Sequence, residues 1–339
     1  MLKGNEIIYQ IFVRNYSLEG TFKQVEKDLS RLKDLGVDII YLMPIHEIGI
    51  KNRKGSWGSP YAIRDYYSIS PDLGTKEDFL SMINAVHKQG MRIIMDMVFN
   101  HTSPDSVLLK QHPEFYFYRD GKLGNRVGDW SDIIDLDTHR EDTQKYLVDV
   151  LKYWVSLGVD GFRFDVASMI DFNFFKKARQ ELGEDIIFFA ESIDYDFVNY
   201  LKSMGYYSTP DIEMFPTFDL LYNYSWFRPF ERYLKNEMSL EELDQIIKED
   251  YEYIGNKGLR IICFENHDTE RIASYIDDNR LEEIVNHFTK LKGPLFLYMG
   301  QEYGVKHRPN LFEKDPVDWT PNDRVLEIYK NAIKTKQKQ

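Results

Sequence analysis

One cysteine, Cys263, is all the sequence contains, so an internal disulfide is excluded. Its place in the apolar run 259–264 points to a small buried core residue rather than a reactive thiol. Long hydrophobic runs are also missing: no stretch approaches the roughly 20 apolar residues that a membrane-spanning helix requires. The opening MLKGNEIIYQIF turns acidic and polar too early for a signal peptide, which suggests a cytoplasmic protein with no membrane partner. Basic charge is outweighed as well, with 43 Lys and Arg against 55 Asp and Glu, a formal net charge of −12. No basic face is left to neutralise phosphates, so nucleic acid is excluded as a partner and a neutral or cationic ligand fits better. Internal repeats and low-complexity segments are absent.

What is present is an alternation. Short apolar runs at 7–13, 38–43, 92–98, 161–166, 186–192, 211–214, 260–266 and 295–299 read as strands, the sixth being the weakest. Amphipathic segments between them read as helices, at 21–35, 76–89, 141–157, 173–182, 241–253 and 281–291, with a last one at 322–334. Strand–helix units in this number predict an α/β fold closed as a (β/α)₈ TIM barrel rather than an open sheet. One connection, from His101 to about Arg140, is too long for an ordinary loop and is read as a small inserted subdomain after strand three. The expected division is therefore a catalytic barrel over 1–100 and 141–339, with the insertion at 101–140.

Within this frame the stretch GFRFDVAS, residues 161–168, stands out. Alternation on a strand sets Phe162, Phe164 and Val166 on one face and Arg163 and Asp165 on the other. Charges side by side on a core strand are costly to bury alone. They are either a structural salt bridge or an arginine that keeps Asp165 ionised, its pKa lowered, as a nucleophile requires. The C-terminal ends of other strands carry further polar groups: Asp96, Asn100 and His101, then Glu191, then Asn266, His267 and Asp268. Any one of these could simply cap the following helix. Three carboxylates converging from separate strands with an arginine and two histidines suit glycoside hydrolysis, which needs one ionised and one protonated carboxyl group. Metal-dependent hydrolysis is the competitor, but neither His101 nor His267 has a second histidine nearby in sequence.

These residues match a known pattern. DMVFNH (96–101), GFRFDVAS (161–168), FFAES (188–192) and FENHD (264–268) resemble, in order, the four conserved regions of the α-amylase family, glycoside hydrolase family 13. SPYAIRDYYSISPDLGT (59–75) and FLYMGQEYG (296–304) are similar too, so the resemblance spans nearly the whole chain. It implies Asp165 as nucleophile, Glu191 as general acid and base, and Asp268 as the group stabilising the oxocarbenium-like state. It further implies that Arg163 pairs with the nucleophile, that His101 and His267 hydrogen-bond the sugar at the cleavage point, and that Tyr61 stacks on it. The apolar run preceding Glu191 would help raise its pKa. Aromatics in turn-rich segments, Trp57, Phe115, Tyr116, Phe117, Tyr118 and Trp130, are further candidates for sugar stacking.

The pattern also breaks. Many family members bind calcium through an asparagine matching Asn100, an aspartate matching Asp137 and a histidine four residues after the nucleophile. That last position is Met169, which is no ligand for a hard cation, and the loop after strand one, YSLEGTF, lacks an Asp/Asn/Gly-rich cation pattern. No required calcium, no metal ligand and no other cofactor are therefore expected. The antiparallel β domain with which members usually end is not seen either, so the sequence is a minimal member or a truncated one. The expected activity is retaining hydrolysis of α-1,4-linked glucans or maltooligosaccharides through a covalent glycosyl-enzyme. A 4-α-glucanotransferase or oligo-α-glucosidase would share every catalytic residue, and a non-catalytic sugar- or partner-binding barrel is the alternative from another class. Linkage choice, endo or exo attack and oligomeric state are not written in these motifs.

Overall fold

Alternating apolar segments become the staves of a parallel barrel. In the computed structural model, which describes residues 2–128, 130–193 and 195–339, these are β1 (Ile7–Ile11), β2 (Ile39–Leu42), β3 (Arg92–Met97), β4 (Gly161–Phe164), β5 (Ile187–Ala190), β6 (Leu220–Leu221), β7 and β8 (Leu295–Tyr298). β7 comes in two pieces, Leu259–Arg260 and Ile262–Cys263. Each strand pairs in parallel with its sequence neighbours, and β1 closes onto β8 in the register Ile7↔Leu295 to Gln10↔Tyr298. The break in β7 does not open the barrel: its first piece pairs with β6, its second with β8, and Ile261 N–H donates to Leu221 O at 2.9 Å.

Alternation sorts the side chains as expected for β4. Phe162 and Phe164 lie in the large cluster between barrel and helices, whereas Ile8, Tyr41, Ile94, Phe189 and Phe296 fill the interior. Gly161 is required on the inward side, because a Cβ there would stand 2.5 Å from Ile187 O. Val166 departs from the expected strand. β4 ends at Phe164, and Val166 adopts φ 37°, ψ 46°, a left-handed conformation that a β-branched residue takes only under constraint.

The covering helices include α1 (Phe22–Leu35), α2 (Lys76–Lys88), α3 (Glu141–Ser156), α4 (Phe172–Leu182), α5 (Tyr195–Ser203), α6 (Tyr224–Leu234), α7 (Leu240–Ile254), α8 (Asp278–Phe288) and α9 (Asp323–Lys336). α1 ends at Gly36, whose φ of 104° lets its N–H reach back to the last turn. α2 starts in a capping box between Thr75 and Asp78. The sixth strand is corrected: residues 211–214 form a short helix after Pro210, with Asp211 held by Arg260 at 2.6 Å, and Leu220–Leu221 takes the barrel position. Between β3 and α3 the chain forms a helix, Val107–Gln111, a hairpin of Tyr118–Arg119 with Lys122–Leu123, and a pairing of His101–Thr102 with Ile134–Asp135. No helix among the described residues is long and apolar enough to cross a membrane.

Candidate active site

Inward positions change character at the C-terminal end of the barrel, from apolar to charged. Arg163 on β4 is fully buried, and its Nη1 donates to Asp165 Oδ1 at 2.9 Å and to Asp96 Oδ1 at 2.9 Å. Its Nη2 stands 3.0 Å from Glu191 Oε2, a charge contact without the alignment of a hydrogen bond. The guanidinium lies between the rings of Tyr61 and Tyr222, 5.9 and 5.7 Å from their centroids. The turned backbone at Val166 joins the two carboxylates: its N–H donates to Glu191 Oε2 at 2.8 Å, and Ala167 N–H donates to Glu191 O at 2.9 Å.

A chain of hydrogen bonds runs along the other side. Gln10 Nε2 donates to His267 Nδ1 at 2.8 Å, which leaves a proton on Nε2 to face Tyr61 Oη at 2.5 Å. Tyr61 then donates to Asp96 Oδ2 at 3.1 Å, beside Tyr41, which donates to the same oxygen at 2.7 Å. His267 Nε2 is also 3.1 Å from Asp268 Oδ2, whose side chain is 47% exposed. Tyr61 and His267 stack, with centroids 5.4 Å apart and planes inclined by 17°.

The charge states follow from burial first. Desolvation and the adjacent Glu191 push the Asp165 carboxyl well above the usual carboxylate range, and Arg163 opposes them without reversing the result. The expectation that Arg163 holds Asp165 low is thereby corrected, since one arginine serves three carboxylates. Burial likewise raises Glu191, again against Arg163. At Asp268 desolvation works upward, but His267, Arg163 and Arg308 bring it down to about 2. Burial lowers His101 to about 4, so its imidazole is uncharged at neutral pH.

Asp165, Glu191, Asp268, Tyr61 and His101 line one cleft of about 260 Å³. Arg163 and His267 stand behind it, touching its lining residues rather than facing the opening. A larger hollow of about 560 Å³ lies past Ser192 and Tyr224, but none of the three carboxylates lines it. Of the aromatic candidates, Trp130 lines the cleft, whereas Phe115 and Tyr116 are buried, the latter bonded to Thr102 and Ser106. The sequence reading passed over Gln10 and Tyr41. Gln10 had a signal, as the lone polar residue inside the apolar run IIYQI, while Tyr41 was indistinguishable from core. It also passed over Lys54 and Asp132, an ion pair at 2.8 Å on the cleft wall.

Comparison with known proteins agrees with this arrangement. The profile of the α-amylase catalytic domain matches residues 5–131 and 127–338. An α-amylase from Lactobacillus plantarum superposes with a TM-score of 0.94 at 38% identity, over 98% of this chain and 80% of that one. A noncanonic maltogenic α-amylase from Thermotoga neapolitana superposes with a TM-score of 0.90 at 31% identity, over 100% of this chain and 78% of that one. An oligo-1,6-glucosidase from Heyndrickxia coagulans is 25% identical over 88% of this chain, which spans 66% of that relative's length. The matched profile and the barrel that superposes on these structures give one conclusion: the chain belongs to the α-amylase family, of which it carries the catalytic domain.

Proposed function

We propose that the protein is a retaining glycoside hydrolase acting on α-1,4-linked glucans or maltooligosaccharides. The observation that carries this reading is that Asp165 and Glu191 contact the two Nη atoms of a single guanidinium, at 2.9 and 3.0 Å. Contact with one guanidinium, together with the bond from Val166 N–H to Glu191 Oε2 at 2.8 Å, keeps the two carboxyl groups near each other, which favours the short separation of a retaining pair. Burial raises both carboxyl groups, and repulsion from Glu191 adds to it at Asp165, which favours a pair that shares a proton. Double displacement uses the form in which the proton sits on Glu191 and Asp165 is the carboxylate, a form that the aligned hydrogen bond from Arg163 to Asp165 favours. With Oε2 accepting from Val166, Oε1 carries the proton toward the leaving group.

Asp165 forms its bond to the anomeric carbon as the glycosidic bond breaks, and Glu191 gives its proton to the departing oxygen. The ionised Glu191 then takes a proton from water, whose attack on the same carbon releases Asp165. Asp268, ionised throughout the neutral range, holds the hydroxyls of the distorted ring, with His101 and Tyr61 on the cleft wall beside it. The similarity to α-amylases and to an oligo-1,6-glucosidase supports an α-glucan substrate. The test is incubation with a defined maltooligosaccharide, following products and anomeric form by proton NMR. First-formed α-anomers are expected; β-anomers would sink the double displacement, longer oligomers would mark a transferase, and no product would mark a binding protein.

A further inference from the structure

Arg126, in the segment between β3 and α3, occupies the centre of an oxygen cage. Its Nε donates to Asp135 Oδ2 at 3.0 Å, and its backbone N–H to the same oxygen at 2.8 Å. Nη2 donates to Asn100 Oδ1 at 3.1 Å and to Leu136 O at 2.9 Å, while Nη1 reaches Met169 O at 3.4 Å. Phe117 closes the cage, its ring centroid 5.9 Å from the guanidinium carbon. Asp135 and Asn100 are buried almost completely, and Arg126 itself is only 7% exposed.

A side-chain amide, a carboxylate and two backbone carbonyls are the oxygen donors that a hard cation takes. Here they converge on a guanidinium, so the calcium implied by the family resemblance does not fit beside it. The residues differ from those expected, too. Asp135 supplies the carboxylate, because Asp137 accepts from His139 N–H at 3.1 Å, and Met169 contributes its carbonyl, for which its apolar side chain is irrelevant. Among the described residues no three His, Cys, Asp or Glu side chains come together as a metal could use.

We propose that Arg126 is a built-in cation that replaces a structural metal, tying the segment after β3 to the ends of β3 and β4 and making the cleft independent of calcium. The ties are short in sequence from the chemistry. Asn100 precedes His101 and donates to its Nδ1 at 3.1 Å, and Met169 lies four residues after Asp165. Removing the guanidinium strands a buried carboxylate and vacates the cage.

The test reads melting temperature, so it stands apart from which sugar bond is cut. Wild-type Tm is expected to be unchanged by a chelator or by millimolar calcium. Arg126→Ala is expected to melt roughly 4–7 °C lower, the size that loss of one partner of a buried ion pair gives in a chain this long. Part of that loss is expected to return with millimolar calcium chloride or methylguanidinium, neither of which raises the wild type. A chelator-induced fall in the wild type, an undiminished Tm in Arg126→Ala, or no recovery with either cation overturns the proposal. Should Arg126→Ala not fold, Arg126→Lys must melt above the neutral Arg126→Gln, and the reverse order also overturns it.

Discussion

Arg163 donates to Asp165 at 2.9 Å from a position sealed from solvent, yet that bond does not by itself fix the charge of Asp165. Asp96 takes a share of the same Nη1, and Glu191 faces Nη2. Full ionisation would leave three carboxylates around one guanidinium in a low dielectric, where unbalanced charge is expensive. A proton retained by the Asp165–Glu191 pair relieves this. One acid beside one carboxylate is the combination that double displacement requires, and the titration belongs to the pair as a whole.

Asp96 should then act on the pH profile without touching the sugar. Its charge is one of the influences that raise Asp165. Asp96→Asn removes that charge and frees Arg163 for Asp165, so the carboxyl ionises at lower pH. The acidic limb of kcat/KM is expected to move to lower pH, with Tm measured alongside to separate misfolding. A shift to higher pH would contradict the shared-guanidinium account.

Direct replacement of the reacting groups should separate their roles. Asp165→Asn is expected to lose at least about 10³-fold in kcat on every substrate. Glu191→Gln is expected to lose about 10²–10⁴-fold on a maltooligosaccharide. That second loss should shrink in the bond-breaking step with an α-glycosyl fluoride, whose leaving group needs no proton. Equal losses on both substrates would remove the acid role from Glu191.

How far the sequence could be read depended on whether a feature was local. Arg163 and Asp165 were recognisable because a period of two sets them on one face, and the chemistry at strand ends followed from the barrel. The net effect of three carboxylates was not, since Asp96 lies on another strand 67 residues away and its contribution emerges only when the barrel closes. β6 escaped for a different reason: two paired residues, Leu220 and Leu221, are too short to show a period. α6 was hidden by Pro229, which reads as a helix breaker, although the helix continues through it. Arg126 lies between Asn125 and Val127 in a loop with no pattern at all, and only the convergence of Asn100, Asp135 and Met169 around it gives it meaning.

The aromatics of the segment after β3 should divide by burial. Trp130 lines the cleft, so Trp130→Ala is expected to raise KM about tenfold with little change in Tm, the scale of one lost stacking contact plus its area. Phe115 is a core residue stacked on His112 with centroids 4.5 Å apart. Phe115→Ala is expected to cost about 3–5 kcal/mol of stability while leaving KM near normal in the folded fraction. Isothermal melts and steady-state kinetics on both variants decide this, and a swapped pattern would reverse the assignment.

Two groups of residues drive acid sensitivity in opposite directions. His46 is buried with neither ring nitrogen bonded among the described residues, edge-on to Trp154 at 5.3 Å. Burial lowers its pKa to about 3, and that of His101 to about 4, from an ordinary 6.5. Between those values and 6.5 the unfolded chain binds protons that the folded chain refuses. Stability is therefore whole above pH 6.5 and is lost as pH falls through that window. Asp165 and Glu191 work the other way: raised above 3.8 and 4.5, they hold protons that the unfolded chain releases, so their stabilising effect is lost as pH rises. His46→Phe isolates the first effect, because His46 lines a separate small hollow with Pro44 and Ser70, away from the cleft. The Tm of the variant is expected to fall less than that of the wild type between pH 7 and pH 5, with the pH profile of kcat unchanged. Parallel falls in the two proteins would mean that His46 is not a source of the acid sensitivity.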